Sequence, residues 1–105
     1  MEACLVLYYT PETSGYVKLK PEYENAARIV SQSQTIVAVN CLLNPEICKA
    51  KGIRTYPTIK FYKLGQFISD YNDERKAEAF KKTIEDVYNE IELQKAARRQ
   101  QPRDL

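Results

Sequence analysis

The apolar positions fall into short runs whose period changes several times along the chain. Residues 3–9 are continuously apolar and aromatic, the pattern of a central strand covered on both faces. From Leu19 onward Tyr23, Ala26, Ala27 and Val30 recur at helical spacing. They predict a helix over about residues 16–32, with Pro21 in its first turn or at a kink. Residues 35–39, rich in β-branched side chains, read as a second buried strand. Asn44 and Pro45 then suit the N-cap and first position of a short helix, which Gly52 closes behind Lys49 and Lys51. Residues 58–62 and 67–71 flank Lys63-Leu64-Gly65-Gln66, a hairpin in which Gly65 supplies a positive φ. Phe80, Ile84, Val87, Tyr88 and Ile91 form one stripe of a final amphipathic helix reaching about residue 96, with a polar, frayed end beyond Ala97.

The element order is therefore β-α-β-α-β-β-α. Right-handed crossovers between parallel strands, then a hairpin and a last helix, give an α/β fold with a four-stranded mixed sheet and helices on both faces. A chain of 105 residues with 44% apolar content builds one core, so a single domain over residues 1–97 and a tail over 98–105 are expected.

Composition removes whole classes of chemistry. Histidine is absent, which excludes Ser-His-Asp and Cys-His nucleophile pairs, the usual zinc sites and proximal-histidine haem. The three glycines are too dispersed to cradle a phosphate, so no cofactor and no metal are expected. A net charge of +2 with interspersed signs selects neither a nucleic acid nor a membrane surface, and no apolar run is long enough to span a bilayer. The chain is expected to be soluble. The one basic excess, Lys95, Arg98, Arg99 and Arg103, suits the negative end of a helix dipole.

The densest signal is Gly52-Ile53-Arg54-Thr55-Tyr56-Pro57-Thr58 leading into the apolar strand Ile59-Lys60-Phe61-Tyr62. A proline between an aromatic residue and a strand start suits a cis peptide, because X-Pro bonds lose most of the penalty against cis. This arrangement resembles the cis-proline loop of the thioredoxin fold. Tyr8-Tyr9-Thr10-Pro11 followed by Lys18-Leu19-Lys20-Pro21-Glu22-Tyr23-Glu24 is similar to the active-site segment of a protein disulfide isomerase catalytic-type domain. The resemblance places the redox Cys-x-x-Cys at Thr13, Ser14, Gly15 and Tyr16, where neither cysteine stands, and the family's buried glutamate at Leu7. Disulfide exchange needs an attacking thiolate and a resolving thiol, so the resemblance implies a redox-inactive, non-enzymatic member. It also implies that Arg54, Thr55, Tyr56 and Pro57 present backbone to an extended polypeptide, which pairs as an added strand. Fold-keeping alone is the competing role for Pro57. Arg75 falls where relatives carry a thiol-tuning arginine; with no thiol to tune, it reads as a first-turn helix residue or a solvated charge. Of the eight tyrosines, Tyr8, Tyr9, Tyr16, Tyr56, Tyr62 and Tyr71 are candidates for a contact surface, although strand alternation sends several inward.

Asn40-Cys41 and Cys48 resemble a pair that forms a structural disulfide in some disulfide isomerase domains; two buried thiols are the alternative. Cys4 is most simply a small core residue. The reading is a binding or scaffold protein, chaperone-like towards an extended polypeptide or protein partner. Its rivals are a thiol-disulfide oxidoreductase using Cys41 and Cys48, and a structural subunit that assembles through an edge strand. The family's usual N-terminal strand and helix have no counterpart before Leu5, which leaves residues 35–39 as an open edge and predicts a homodimer or a tight contact with another subunit, with Tyr88 and Ile91 adding apolar surface past the core. Family resemblance implies the endoplasmic reticulum lumen or secretory pathway, although neither a signal peptide nor a retrieval motif is seen; a cytoplasmic location is the alternative.

Overall fold

The computed structural model describes residues 3–30 and 34–100, the side chains of Arg99 and Gln100 excepted. Seven elements follow in the expected order: β1 (Ala3–Tyr9), α1 (Ser14–Ile29), β2 (Gln34–Asn40), α2 (Pro45–Ala50), β3 (Thr58–Lys63), β4 (Gln66–Asp70) and α3 (Ala77–Gln100). They build one four-stranded sheet in the order β2-β1-β3-β4. β1 lies parallel to β2, with Val6 opposite Val37, and antiparallel to β3, with Val6 opposite Lys60. β4 returns antiparallel to β3 after a register shift between Phe61 and Tyr62. This is the expected mixed α/β sheet, with β2 as an open edge.

One face of the sheet carries the core. Leu5 and Leu7 of β1 and Ile59 of β3 are buried beneath Leu19, Tyr23 and Ala26 of α1 and Phe80, Ile84 and Ile91 of α3. Period-2 alternation supplies the strand side of this layer and helical spacing the other. The Phe80 ring meets Tyr23 edge-on at 5.3 Å between centroids and Tyr71 at 4.9 Å. The Tyr23 hydroxyl sits 2.7 Å from the Val37 carbonyl and 3.1 Å from that of Leu5, so a buried phenol ties α1 across β1 and β2. Burial pushes its pKa well above the ordinary tyrosine value. At the other end of the layer the Glu22 carboxylate accepts the Ala77 N–H at 2.8 Å, joining α1 to the first residue of α3 and satisfying a helix-start donor.

The opposite face holds a smaller cluster of Tyr8, Cys41, Cys48 and Ile53 beneath α2. Here the expectation that β1 is covered on both faces fails. With six residues, α2 reaches only about 9 Å along the sheet. Cys4, Val6 and Tyr62 are left half-buried, and Val37 and Phe67 exposed. Cys4 is therefore a half-buried free thiol on this face rather than a core residue, and burial raises its pKa.

Several boundaries differ from those the sequence implies. α1 starts at Ser14, places Pro21 beyond its first turn and ends at Ile29; the remainder of the expected helix, residues 31–32, lies outside the described residues. Asn44 occupies the N-cap position of α2 without capping it, because its side-chain amide donates instead to the Asn40 carbonyl at 3.0 Å. Gly52 does close α2, at φ +71° and with its N–H donating to the Lys49 carbonyl. In the hairpin both Leu64 (φ +52°) and Gly65 (φ +82°) are left-handed, the pattern of a two-residue type I′ loop. α3 continues to Gln100, past the expected end near residue 96, since Lys95, Ala96, Ala97 and Arg98 are strong helix formers. Residues 101–105, with Arg103, lie outside the described residues. Ile91 is fully buried and Tyr88 packs against the core, so neither extends past it; the exposed apolar residue of that helix is Leu93. Among the described residues no helix is long and apolar enough to cross a membrane.

Candidate functional site

β1 ends at Tyr9, and the chain turns through Thr10 and Pro11 into α1. The Thr10 carbonyl accepts both the Thr13 N–H (3.4 Å) and the Thr13 hydroxyl (3.1 Å). Thr13 thus stands at the N-cap of α1 with its side chain spent on the turn, and its carbonyl accepts the Val17 N–H. Ser14, Gly15 and Tyr16 form the first turn of the helix. The Tyr16 ring stacks on Tyr9 with centroids 4.1 Å apart and planes 8° from parallel. Burial, followed by the neighbouring Tyr9, raises the Tyr16 phenol pKa. Leu7, buried to 1% exposure, belongs to the same apolar cluster as these two rings. Beneath the rings Leu7 thus supplies an apolar side chain and no carboxylate.

Gly15 brings the second segment in. A Cβ at this position would lie 3.0 Å from Pro57 Cδ and 3.7 Å from Arg75 Nη1. The start of α1 and residues 54–57 are therefore in contact across a glycine, and a larger residue would force them apart. The Tyr56-Pro57 bond is cis, as the sequence implies. The Thr58 hydroxyl donates to the Thr55 carbonyl at 2.7 Å and holds the loop closed on itself. Among the described residues, the Arg54 and Tyr56 backbones find no partner. Arg75 precedes α3 instead of lying in its first turn; it is an exposed charge beside Gly15. It forms a shared wall between two open depressions. A polar one of about 240 Å³ runs along Thr55, Pro57, Thr58 and Asn72, and one of about 470 Å³ runs along Gly15, Lys18, Glu22 and Lys76.

The structure thus joins Thr13–Tyr16 with Pro57 and separates both from the cysteines. Cys41 and Cys48 form a disulfide (S–S 2.04 Å, Cα–Cα 5.7 Å) in the cluster on the other face. Both are buried, Cys41 to 5% and Cys48 to 1% exposure. The tyrosines divide as alternation demands. Tyr8 and Tyr71 are core residues: the Tyr8 hydroxyl shares a hydrogen bond with Tyr62 at 2.7 Å, and the Tyr71 hydroxyl donates to the Glu74 carbonyl. Burial, then the Tyr62 hydrogen bond, drives the Tyr8 pKa far up. Burial, then the Asp73 charge, takes Tyr71 to about 12. Tyr56 alone of the six is clearly open to solvent.

Tyr9 as the stacking partner, together with Lys18, Glu22 and Lys76, was not singled out from the sequence. Tyr9 carried a usable signal, because it shares a strand face with Leu7; Glu22 carried none, since its partner is 55 residues away. Chemically the region offers hydroxyls without a neighbouring base, unpaired backbone groups and apolar surface.

Comparisons with known proteins agree with this architecture. The family model described as Thioredoxin matches residues 1–86. A Schistosoma mansoni protein described as a probable protein disulfide-isomerase, ER-60, is 36% identical over 76 residues, covering 70% of this chain and 16% of that protein. Protein disulfide-isomerase A3 of Gallus gallus is 32% identical over 74 residues, 70% of this chain and 15% of the relative. The chain thus spans only about a sixth of the length of these relatives. Among solved structures, the first two thioredoxin domains of Naumovozyma dairenensis Eps1p superpose with a TM-score of 0.73 at 27% identity, covering 79% of this chain and 34% of that one. The chain belongs to the thioredoxin family and is related to the thioredoxin domains of protein disulfide isomerases.

Proposed function

We propose that this is a redox-silent thioredoxin-family domain that binds extended polypeptide along the loop of Arg54, Thr55, Tyr56 and Pro57. The observation that carries the reading is the occupancy of the exchange positions. By the resemblance, Thr13 and Tyr16 take the places of the family's two cysteines and Leu7 that of its proton-accepting glutamate; in the structure the Tyr16 ring is closed over by Tyr9 and Leu7 is buried in the same apolar cluster. Thiol, resolving thiol and proton acceptor are absent together, while the loop beside them keeps free backbone groups able to pair with a strand. The C-terminal ends of parallel β1 and β2 share one end of the sheet, and just past Asn40 the exposed Leu42 and Leu43 add apolar surface there. The oxidoreductase alternative is disfavoured by the burial of both Cys41 and Cys48, since disulfide exchange requires access to a sulfur. A disulfide-bonded domain related to disulfide isomerases fits the endoplasmic reticulum lumen or secretory pathway.

Two measurements test this. Insulin reduction and scrambled-ribonuclease refolding should stay at the no-enzyme baseline; turnover that disappears in Cys41→Ser would establish the oxidoreductase reading instead. In an NMR titration with a reduced, unfolded client polypeptide, shift changes should concentrate at residues 13–16 and 54–58. Changes confined to another surface would reject the loop as the site.

A further inference from the structure

The two edges of the sheet are not equivalent. β4 is short, its ladder with β3 is interrupted by a bulge, and Asp70 pairs with Lys60 at 3.3 Å. Bulges and charges of this kind discourage pairing with a further strand. β2 has none of these devices. Gln34–Asn40 contains no charge, proline or bulge, and its register with β1 is unbroken from Gln34 to Asn40.

The free groups on β2 can be assigned. The Cys41 N–H donates to the Tyr9 carbonyl at 2.8 Å, continuing the β1–β2 ladder one residue past the strand. Alternation then turns the backbone groups of Thr35, Val37 and Val39 towards β1, and those of Gln34, Ile36, Ala38 and Asn40 outward. The Asn40 carbonyl is already occupied by the Asn44 N–H and side-chain amide. Among the described residues nothing meets the outward groups of Ile36 and Ala38. Beside them Val37 is 43% exposed.

We propose that β2 pairs antiparallel with β2 of a second copy of this chain, about a two-fold axis at Val37. This register sets Ile36 of one copy opposite Ala38 of the other, as hydrogen-bonded pairs on each side of the axis. Val37 meets its own counterpart in the closer, non-hydrogen-bonded position. A second copy is favoured by charge. An uncharged strand set against itself brings no like charges together, and on the neighbouring helix Lys20 is already offset by Glu24. This inference is independent of the polypeptide-binding loop.

Sedimentation equilibrium of the full chain at micromolar concentration should show a dimer. Ala38→Pro removes an outward N–H that the chain's own ladder does not use, so the fold should survive while dimerisation weakens about tenfold or more. Val37→Lys, at an exposed position, should do the same by placing like charges at the axis. Circular dichroism confirms folding of each variant. Hydrogen exchange reads the same edge without substitution: the Ile36 and Ala38 amides should gain protection with rising concentration, while the Val37 amide is protected throughout. A monomer at these concentrations overturns the proposal. So does a dimer that survives both substitutions, one dissolved instead by Leu93→Lys, or Ile36 and Ala38 amides that exchange freely at every concentration.

Discussion

The two faces of the sheet are stabilised in different ways. Beneath α1 and α3 the residues Leu5, Leu7, Ile59, Phe80, Ile84 and Ile91 form a continuous apolar layer, into which the Tyr23 hydroxyl reaches to meet the Leu5 and Val37 carbonyls. On the other face a small cluster is held by a disulfide and a tyrosine hydroxyl pair, and the strands beyond it stay partly open. Hydrophobic burial scales with the area removed from water, so a long helix secures its face without a covalent link. A six-residue helix cannot, and there the disulfide limits the freedom of the unfolded chain instead. One face thus sets the stability of the fold and the other tolerates exposure.

The largest effect should come from Phe80→Ala, which empties the centre of the covered face. A loss of about 3–5 kcal/mol in urea or guanidinium unfolding is expected, a large share of the roughly 5–15 kcal/mol that holds an ordinary domain. If the loss were under about 1 kcal/mol, the two faces would not differ as described. The double substitution Cys41→Ser and Cys48→Ser should cost about 2–3 kcal/mol, measured against the oxidised parent, and should leave α1 and α3 packed as before. A change of near-UV signal from Tyr23 or Tyr71 in that variant would mean that the faces are coupled. The smallest effect concerns pH. The folded pKa of Tyr71 stands at about 12, above the value near 10 of the unfolded chain. Its neutral form therefore contributes stability in full below pH 10, and that contribution is lost as the pH rises through about 12. Tyrosinate absorbance and circular dichroism followed together through that range check this. Ionisation of Tyr71 at the ordinary pH without loss of structure would refute it.

The strands were the most legible part of the sequence. β1 is apolar and aromatic throughout and the centre of β2, residues 35–39, is largely β-branched, and their bounds shift by no more than a residue or so. The cis-proline loop was legible because proline chemistry is local. What sequence reading missed depends on partners distant along the chain. Tyr9 shares a strand face with Leu7, but nothing local names Tyr16 as its stacking partner, and the Glu22–Ala77 contact joins elements that only the finished fold brings together. The disulfide was suggested by resemblance; its partner choice has no local signature. Asn44 had the right residue type for a cap, but a competing acceptor, the Asn40 carbonyl, took its side chain. Leu64 carries no signal of its left-handed backbone, because that conformation is uncommon for leucine and Gly65 alone marks the turn in sequence.

The position of α3 in the chain bears on how the protein is made. Phe80, Ile84 and Ile91 complete the layer over Leu5, Leu7 and Ile59, and all three come from the last helix. During synthesis the strands and α1 leave the ribosome before the side chains that cover them exist. Until residue 91 has emerged, the nascent chain carries an apolar sheet face that α1 covers only in part, with the β2 edge beside it. Folding of this domain is thus deferred until its last helix is free. That interval is when the chain most needs the attention of chaperones.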